Sequence, residues 1–230
     1  MAGPREHDAR LALSRGLHLL LEKPPATTPK AAREIAALAG DAGLCFSWHS
    51  RHAPGVEPAR EWLRVRRVSE VAITWREDIR RWHPGQDWIL DAAGMGVFDP
   101  GVNALSIITH ILPTSLMLSD AELDIPSNRE APIAARLRAR TSDGAPVTMD
   151  LDFLHDGDPR WEIAVETDRG LLRLIDGGAL LFIDGQMIAP PSSGRHHDYV
   201  GVYARFPSIV RTPRVDADVR PLELAADALH

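Results

Sequence analysis

One lysine stands out among the basic residues of this 230-residue chain. Of 26 lysines and arginines only Lys23 and Lys30 are lysines, so 24 are arginines. Arginine stays protonated at any useful pH, whereas a partly buried lysine can exchange a proton. Lys23 lies between Glu22 and Pro24 at the end of an apolar run. Two interpretations stay open: a chemical group, or a lysine that keeps its stem on apolar surface and its ammonium in water.

A carboxylate and an amide, Asp99 and Asn103, are four residues apart at the start of a second apolar run. In a helix they would share one face, where the carboxylate could accept a proton and the amide could hold a hydroxyl. The alternative is structural, because Asp followed by Pro is an ordinary helix start with Asp99 as N-cap and Pro100 at the first position. From these residues alone the cap is the favoured interpretation.

The segment from Trp75 to Trp88 contains three of the six tryptophans, together with Glu77 and His83. Aromatic planes beside hydrogen-bonding groups suit a sugar, whose ring has an apolar C–H face and a polar hydroxyl edge. The equally weighted alternative is a loop that buries its aromatic anchors and exposes its charges.

The histidine pair His49 and His52 raises the question of a metal site. A zinc ion could be completed by His83, His110 or Asp99, but the spacing is loose and we predict no metal. His49 follows a predicted strand, and we expect it to face the same cleft as Lys23.

The apolar patterns predict the elements that position these residues. Residues 17–21 predict a buried parallel strand, which Pro24 ends, so that Glu22 and Lys23 lie at its carboxyl end. A helix and a second apolar strand at residues 44–48 complete a βαβ unit. Ligands bind at the carboxyl ends of strands in such open sheets.

After residue 48 the pattern changes to alternating segments separated by Asp-Gly and Gly-Gly turns, which predict a meandering, largely antiparallel sheet. The predicted elements are a helix at 56–64, a half-exposed antiparallel strand at 68–75, a loop at 78–95, a helix at 97–112, several strands between 116 and 188, and helices at 197–211 and 221–229.

Composition excludes several classes of protein. The net charge of −6 and the lack of a basic cluster argue against nucleic acid as a partner. No apolar stretch approaches the roughly 18 to 20 residues of a membrane span, and Met1 to Arg10 is polar rather than signal-like. Cys45 is the single cysteine, so no internal disulfide can form and core burial is expected. We expect a cytoplasmic protein.

The combination of Glu22-Lys23-Pro24 at a strand end with Asp99 in a later, glycine-led helix resembles the family of glucose-fructose oxidoreductase, inositol dehydrogenase and rhizopine-catabolism proteins. Residues 48–51, the loop at 77–88 and the segment 96–103 are similar to its aldose 1-dehydrogenases, which act on galactose or arabinose. The resemblance covers nearly the whole chain. It implies an α/β (α+β) fold: a Rossmann-domain remnant at 1–48, then a substrate-binding and oligomerisation domain at 49–230 with an open, mostly antiparallel sheet.

The resemblance also implies a reaction, hydride transfer from the anomeric carbon of a pyranose to NAD or NADP, giving an aldonolactone. Asp99 would accept the hydroxyl proton, Lys23 would orient and polarise that oxygen and the nicotinamide ribose, and Asn103 would hold a sugar hydroxyl. Many relatives have histidine where this chain has Asn103, so the proton route rests on Asp99 and Lys23. The resemblance also implies contacts with the cofactor from Glu22, Lys23 and Pro24. It implies contacts with the substrate from His49, Glu77, His83, Asn103 and Trp161.

The chain departs from the family pattern before Lys23, where no G-x-G-x-x-G occurs and only one helix fits. We therefore expect a truncated or wrongly started dehydrogenase, or a degenerate paralogue, with impaired activity. The alternative is a non-catalytic sugar-sensing or scaffold protein of the same family. Retention of Lys23, Asp99 and Asn103 favours the enzyme, whereas loss of the pyrophosphate loop favours the sensor. A homo-oligomer is expected, because an antiparallel sheet face is a common dimer surface.

Overall fold

The computed structural model of the chain describes residues 4–91, 94–189 and 197–230. The helices are α1 (Pro4–Ser14), α2 (Pro29–Leu38), α3 (Val56–Leu63), α4 (Ile79–Trp82), α5 (Phe98–Ile111), α6 (His197–Arg211) and α7 (Arg220–Leu229). The strands are β1 (Leu19–Glu22), β2 (Leu44–Ser47), β3 (Val68–Arg76), β4 (Leu116–Asp124), β5 (Ala134–Thr141), β6 (Pro146–Asp152), β7 (Arg160–Thr167), β8 (Gly170–Ile175), β9 (Leu180–Ile183), β10 (Gln186–Ala189) and β11 (Val215–Asp216). Short 3-10 turns lie at His49–His52, Asp87–Leu90 and Asp176–Gly178.

The smaller sheet has the order β1-β2-β11 and is parallel throughout. It contains the predicted βαβ unit, with α2 between β1 and β2. The first strand begins two residues later than predicted, because Leu17 is 55% exposed and lies outside the ladder. Strand β11 was not predicted, since two residues carry no readable alternation. It brings residues 215–216 to the sheet of the amino-terminal segment, and the domain division at residue 48 stays a prediction.

The larger sheet has the order β10-β9-β8-β7-β3-β6-β5-β4, and its mostly antiparallel character is confirmed. Strand β3 was predicted as a half-exposed antiparallel strand, and its alternating burial and its antiparallel pairing with β7 agree with this. Its other neighbour differs from the prediction, because β3 pairs parallel with β6. The parallel pairing follows from connectivity, because the chain crosses over through α5, β4 and β5 before β6 returns beside β3.

Helix α5 is buried on almost every side, as its nearly continuous apolar sequence requires. It begins at Phe98 after Val97, which makes no side-chain cap, so the interpretation of Asp99 as N-cap is wrong. The backbone sets this start: Gly96 has φ +54°, and a Cβ there would lie 2.1 Å from the Pro132 carbonyl oxygen. Asp99 is therefore the second helical residue, and its carboxylate is free to face the neighbouring sheet.

The predicted loop at 78–95 contains α4 and a 3-10 turn, and its residues 92 and 93 lie outside the described residues. Single helical turns carry no periodicity that a sequence pattern could show. Asp78 caps α4 by accepting the Arg80 N–H at 2.8 Å. Throughout the described ranges, every helix is too short or too polar to cross a bilayer.

Candidate active site

The central contact joins the carboxyl end of β1 to the first turn of α5. The Lys23 ammonium lies 3.2 Å from Asp99 Oδ1 and donates to the Asp99 carbonyl oxygen at 2.9 Å. Both side chains are largely buried, at 15% and 12% exposure. An ammonium has three donors, and the described residues use two. The two residues singled out by sequence thus form one charged pair, with a donor left for a ligand.

A second carboxylate, Glu77, lies beside this pair directly after β3. It is 6% exposed, and Trp161 Nε1 donates to its Oε2 at 2.8 Å. Burial raises the pKa of Glu77 to about 7. The hydrogen bond from Trp161 and the positive charge of Lys23 lower this pKa, and the negative charge of Asp99 raises it. Glu77 therefore changes its protonation state near neutral pH.

His83 connects the two carboxylates. Its Nε2 lies 3.8 Å from Asp99 Oδ2 and 3.9 Å from Glu77 Oε1. The edge of the ring meets Phe153, with centroids 5.6 Å apart. Lys23, Asp99, Glu77, Trp161 and His83, all named from the sequence, are thus assembled around one point.

The tryptophans of the site form a cluster centred on Trp161. Trp75 and Trp82 lie 6.2 and 5.2 Å from it between ring centroids. Trp88, in contrast, is 58% exposed. Trp75 in β3 is buried and Trp82 in α4 is half-buried, so the segment anchors these aromatic side chains, as the structural alternative required, and also supports the polar cluster.

Asn103 lies one helical turn after Asp99 and is partly exposed. Its carbonyl oxygen accepts from Ser106 Oγ at 2.8 Å. Within the part of the chain that the structure describes, its side-chain amide has no hydrogen-bond partner, so it is available to a ligand.

The residues around Lys23 are held by a separate network. The Glu22 carboxylate accepts from Ser47 Oγ at 2.9 Å, from the Lys23 N–H at 3.2 Å and from the Tyr199 hydroxyl at 3.5 Å. Pro24 follows a cis peptide bond, and its carbonyl oxygen accepts from Arg5 at 2.6 Å. The residues on either side of Lys23 are therefore both held by hydrogen bonds.

His49 lies at the edge of this network. Its ring stacks on Tyr199 at 4.8 Å, and its Nδ1 is 3.7 Å from Asp198 Oδ2. Among the described residues no hydrogen bond or ion pair joins it to Lys23 or Asp99, so it reaches the cleft only through Tyr199 and Glu22.

Sequence reasoning missed Ser47, Asp198 and Tyr199. Ser47 had a readable signal, since it is the one polar residue at the end of the apolar run of β2 and pairs in register with Glu22. Asp198 and Tyr199 of α6 had no such signal in the sequence, because no spacing relates them to β1.

The zinc arrangement considered for His49 and His52 does not form. His110 pairs with Glu57 at 3.1 Å, and His83 faces the carboxylates. In the ranges that the structure describes, no group of three potential ligands is placed to hold a metal ion.

Comparison with known proteins gives the following relatives. No protein-family model matches the chain. A galactose 1-dehydrogenase from Pseudomonas fluorescens is 44% identical over 220 residues, which cover 94% of this chain and 70% of that protein. The crystal structure of a D-galactose-1-dehydrogenase from Rhizobium etli superposes with a TM-score of 0.92 at 45% identity, over 98% of this chain and 72% of that one.

A more distant structure shares the fold. It is an inositol dehydrogenase homologue from Azotobacter vinelandii, solved with NADH and myo-inositol, with a TM-score of 0.80 at 16% identity. The match covers 99% of this chain and 72% of that one. The likeness therefore extends over both sheets.

Proposed function

This chain belongs to the sugar-oxidoreductase family of glucose-fructose oxidoreductase and inositol dehydrogenase, on its galactose 1-dehydrogenase branch, and we propose that it oxidises an aldose at C1 to the aldonolactone. The substrate class is a galactose- or arabinose-type pyranose, and the hydride acceptor is NAD or NADP. The observation that carries the proposal is the Lys23–Asp99 pair at 3.2 Å, which joins the end of β1 to the start of α5.

The reaction requires a base for the C1 hydroxyl and positive charge near its oxygen. Asp99 supplies the carboxylate that accepts the proton, and Lys23 stabilises the negative charge that develops on the oxygen as hydride leaves C1. The low exposure of both side chains strengthens this electrostatic effect, because little water screens them. Asn103 binds a hydroxyl one turn further along α5.

The donor set fits the nicotinamide end of a dinucleotide. When bound, the nicotinamide supplies the acceptor for the hydride. The third donor of Lys23 is not used by the described residues, and Glu22 and Pro24 hold Lys23 at the carboxyl end of a parallel strand, where such ligands bind. Lys23, with Glu22 and Pro24, would hold the nicotinamide ribose.

The substrate side is formed by the buried polar cluster. Glu77 and His83 offer hydrogen bonds to the sugar hydroxyls, and Trp161 holds Glu77 in place through its indole N–H. His49, which stacks on Tyr199, would contact the sugar from outside this cluster. A buried carboxyl that is partly protonated near neutral pH can either donate to or accept from a hydroxyl.

An aldose panel with NAD⁺ and NADP⁺ tests the proposal. We expect cofactor reduction with galactose or arabinose, and a loss of kcat on the order of 100-fold or more in Lys23→Ala and Asp99→Asn. Lys30→Ala, which removes the one other lysine, is the matched control and keeps full activity. Galactose binding by calorimetry without turnover in the wild type would instead support a non-catalytic sugar-sensing protein.

We also propose that the protein is a cytoplasmic homo-oligomer. The homo-oligomer is supported by the large, mostly antiparallel sheet, since the face of such a sheet is a common dimer surface. Sedimentation velocity tests the assembly: a single species at the monomer mass would contradict it.

A further inference from the structure

We infer that His83 relays to solvent the proton that Asp99 takes from the sugar, with Glu77 as the second carboxylate that steadies the charged imidazole. The inference rests on the proposed function and gives His83, proposed above as a sugar contact, a second role in that reaction. In this second role His83 acts through Asp99, as a positioning and relay residue.

The inference is drawn from the different contacts that the oxygens of the two carboxylates make. Asp99 Oδ1 faces Lys23 at 3.2 Å, and Glu77 Oε2 accepts from Trp161 at 2.8 Å. The other oxygen of each carboxylate, Asp99 Oδ2 and Glu77 Oε1, faces the same atom, His83 Nε2, at 3.8 and 3.9 Å. One nitrogen thus lies between the two carboxylate oxygens that have no hydrogen bond within the described residues.

The chemistry needs such a group, because a protonated Asp99 must be reset before the next turnover. Lys23 is already a cation, and the amide of Asn103 cannot accept a proton. In the relay, the O–H bond at Asp99 Oδ2 breaks and an N–H bond forms at His83 Nε2. The imidazolium then gives a proton to water. A small side-chain rotation closes this gap of 3.8 Å to hydrogen-bonding distance.

A route to solvent lies next to the ring. His83 is 23% exposed and lines a cavity of about 650 Å³ beside α4 and the 3-10 turn that follows it. The charged or titratable groups on the elements around the ring include Lys23 after β1, Glu77 and Asp78 after β3, Asp99 on α5, Arg80 and Arg81 on α4, Asp87 and Arg129 in the cavity wall, and His155 after β6. Arg80 is paired with Asp78, so its charge is already compensated.

The first test compares His83→Gln with His7→Gln, a control at an exposed histidine of α1. We expect His83→Gln to keep its fold and to lower kcat roughly 10- to 100-fold, with added imidazole restoring kcat in proportion to its concentration. The control keeps the wild-type kcat. An unchanged kcat in His83→Gln, or a lowered kcat that imidazole leaves unchanged, would overturn the relay.

A second test needs no turnover. With carboxyl-labelled glutamate, the NMR signal of Glu77 titrates near pH 7 in the wild type, and we expect its midpoint to move in His83→Gln because the two side chains are neighbours. An identical midpoint in the two proteins would contradict the shared arrangement. Wild-type protein that turns over no aldose would contradict the proposed function, whereas turnover with an unaffected His83→Gln contradicts the relay alone.

Discussion

Glu77 shows at the scale of one residue how burial adapts a carboxyl group to neutral pH. Its pKa lies near 7 against an ordinary value of 4.5, a difference equivalent to about 3 kcal/mol. The folded state therefore binds more protons than the unfolded chain between these two values. The stability contributed by the neutral carboxyl is fully present below pH 4.5 and is lost as the pH rises through 7.

We predict that Glu77→Gln removes this pH dependence, because an amide keeps the acceptor for Trp161 and carries no charge. The free energy of unfolding of the wild type should fall by up to about 3 kcal/mol more than that of the variant between pH 5 and pH 8. Urea denaturation at the two pH values measures the difference. Parallel curves for the two proteins would contradict the assigned burial.

The residue types of the site were readable from sequence, and their partners were not. Lys23, Asp99, Glu77 and His83 were selected for their chemistry and Trp161 through the family resemblance, and the structure brings them together. The side-chain role of Asp99 depended on tertiary context, because only the fold decides whether a carboxylate near a helix start faces its own backbone or a neighbouring lysine.

Among the elements, the start of helix α5 determines where the Asp99 side chain lies. Gly96 holds φ +54° and lies so close to Pro132 that a Cβ would meet the carbonyl oxygen at 2.1 Å. We predict that Gly96→Ala lowers the free energy of unfolding by about 3 kcal/mol or more and lowers kcat/KM, because backbone strain and overpacking add and the helix start moves.

Gly85→Ala is the matched control for this prediction. Gly85 also has a positive φ, +75°, but a Cβ there would meet no atom within 4 Å. Only the backbone strain remains, and we expect a loss of about 1 kcal/mol. Thermal and urea unfolding separate the two effects, and equal losses in both variants would show that the contact with Pro132 does not constrain the helix.

Elements were predicted well where their patterns were long. Helix α5 lies within one residue of its expected bounds at each end, and strands β4 to β8 lie within the expected range 116–188, because each has several turns or alternations. Strand β11 and helix α4 were missed because tertiary contacts, rather than periodicity, define segments of two to four residues.

Across the whole molecule, a buried ionic network connects segments that are far apart in the sequence. Arg51, in the turn after β2, contacts Asp218 at 2.6 Å and donates to the Ser106 carbonyl of α5 at 2.9 Å. Burial opposes ionisation of Asp218, but its hydrogen bonds from Arg220 and the charge of Arg51 outweigh it, so the pKa lies below the usual range. The stability from this group is present above its ordinary pKa and is lost as the pH falls towards the folded value.

We predict that Asp218→Ala lowers the free energy of unfolding by about 3 to 5 kcal/mol, because it leaves the buried Arg51 without its partner. Asp216→Ala is the control, since its pair with Arg205 is more exposed and is worth less than about 1 kcal/mol. Urea unfolding near pH 7 measures both. Similar losses in the two variants would contradict the role of the network.

The central claim, hydride transfer from C1 with Asp99 as base, is tested most directly with galactose deuterated at C1. The account predicts slower cofactor reduction, deuterium recovered in the reduced nicotinamide, equal transfer in Lys30→Ala, and transfer lowered about 100-fold or more in Asp99→Asn. Deuterium that stays on the sugar while the cofactor is reduced would contradict oxidation at C1, and full transfer in Asp99→Asn would contradict the base.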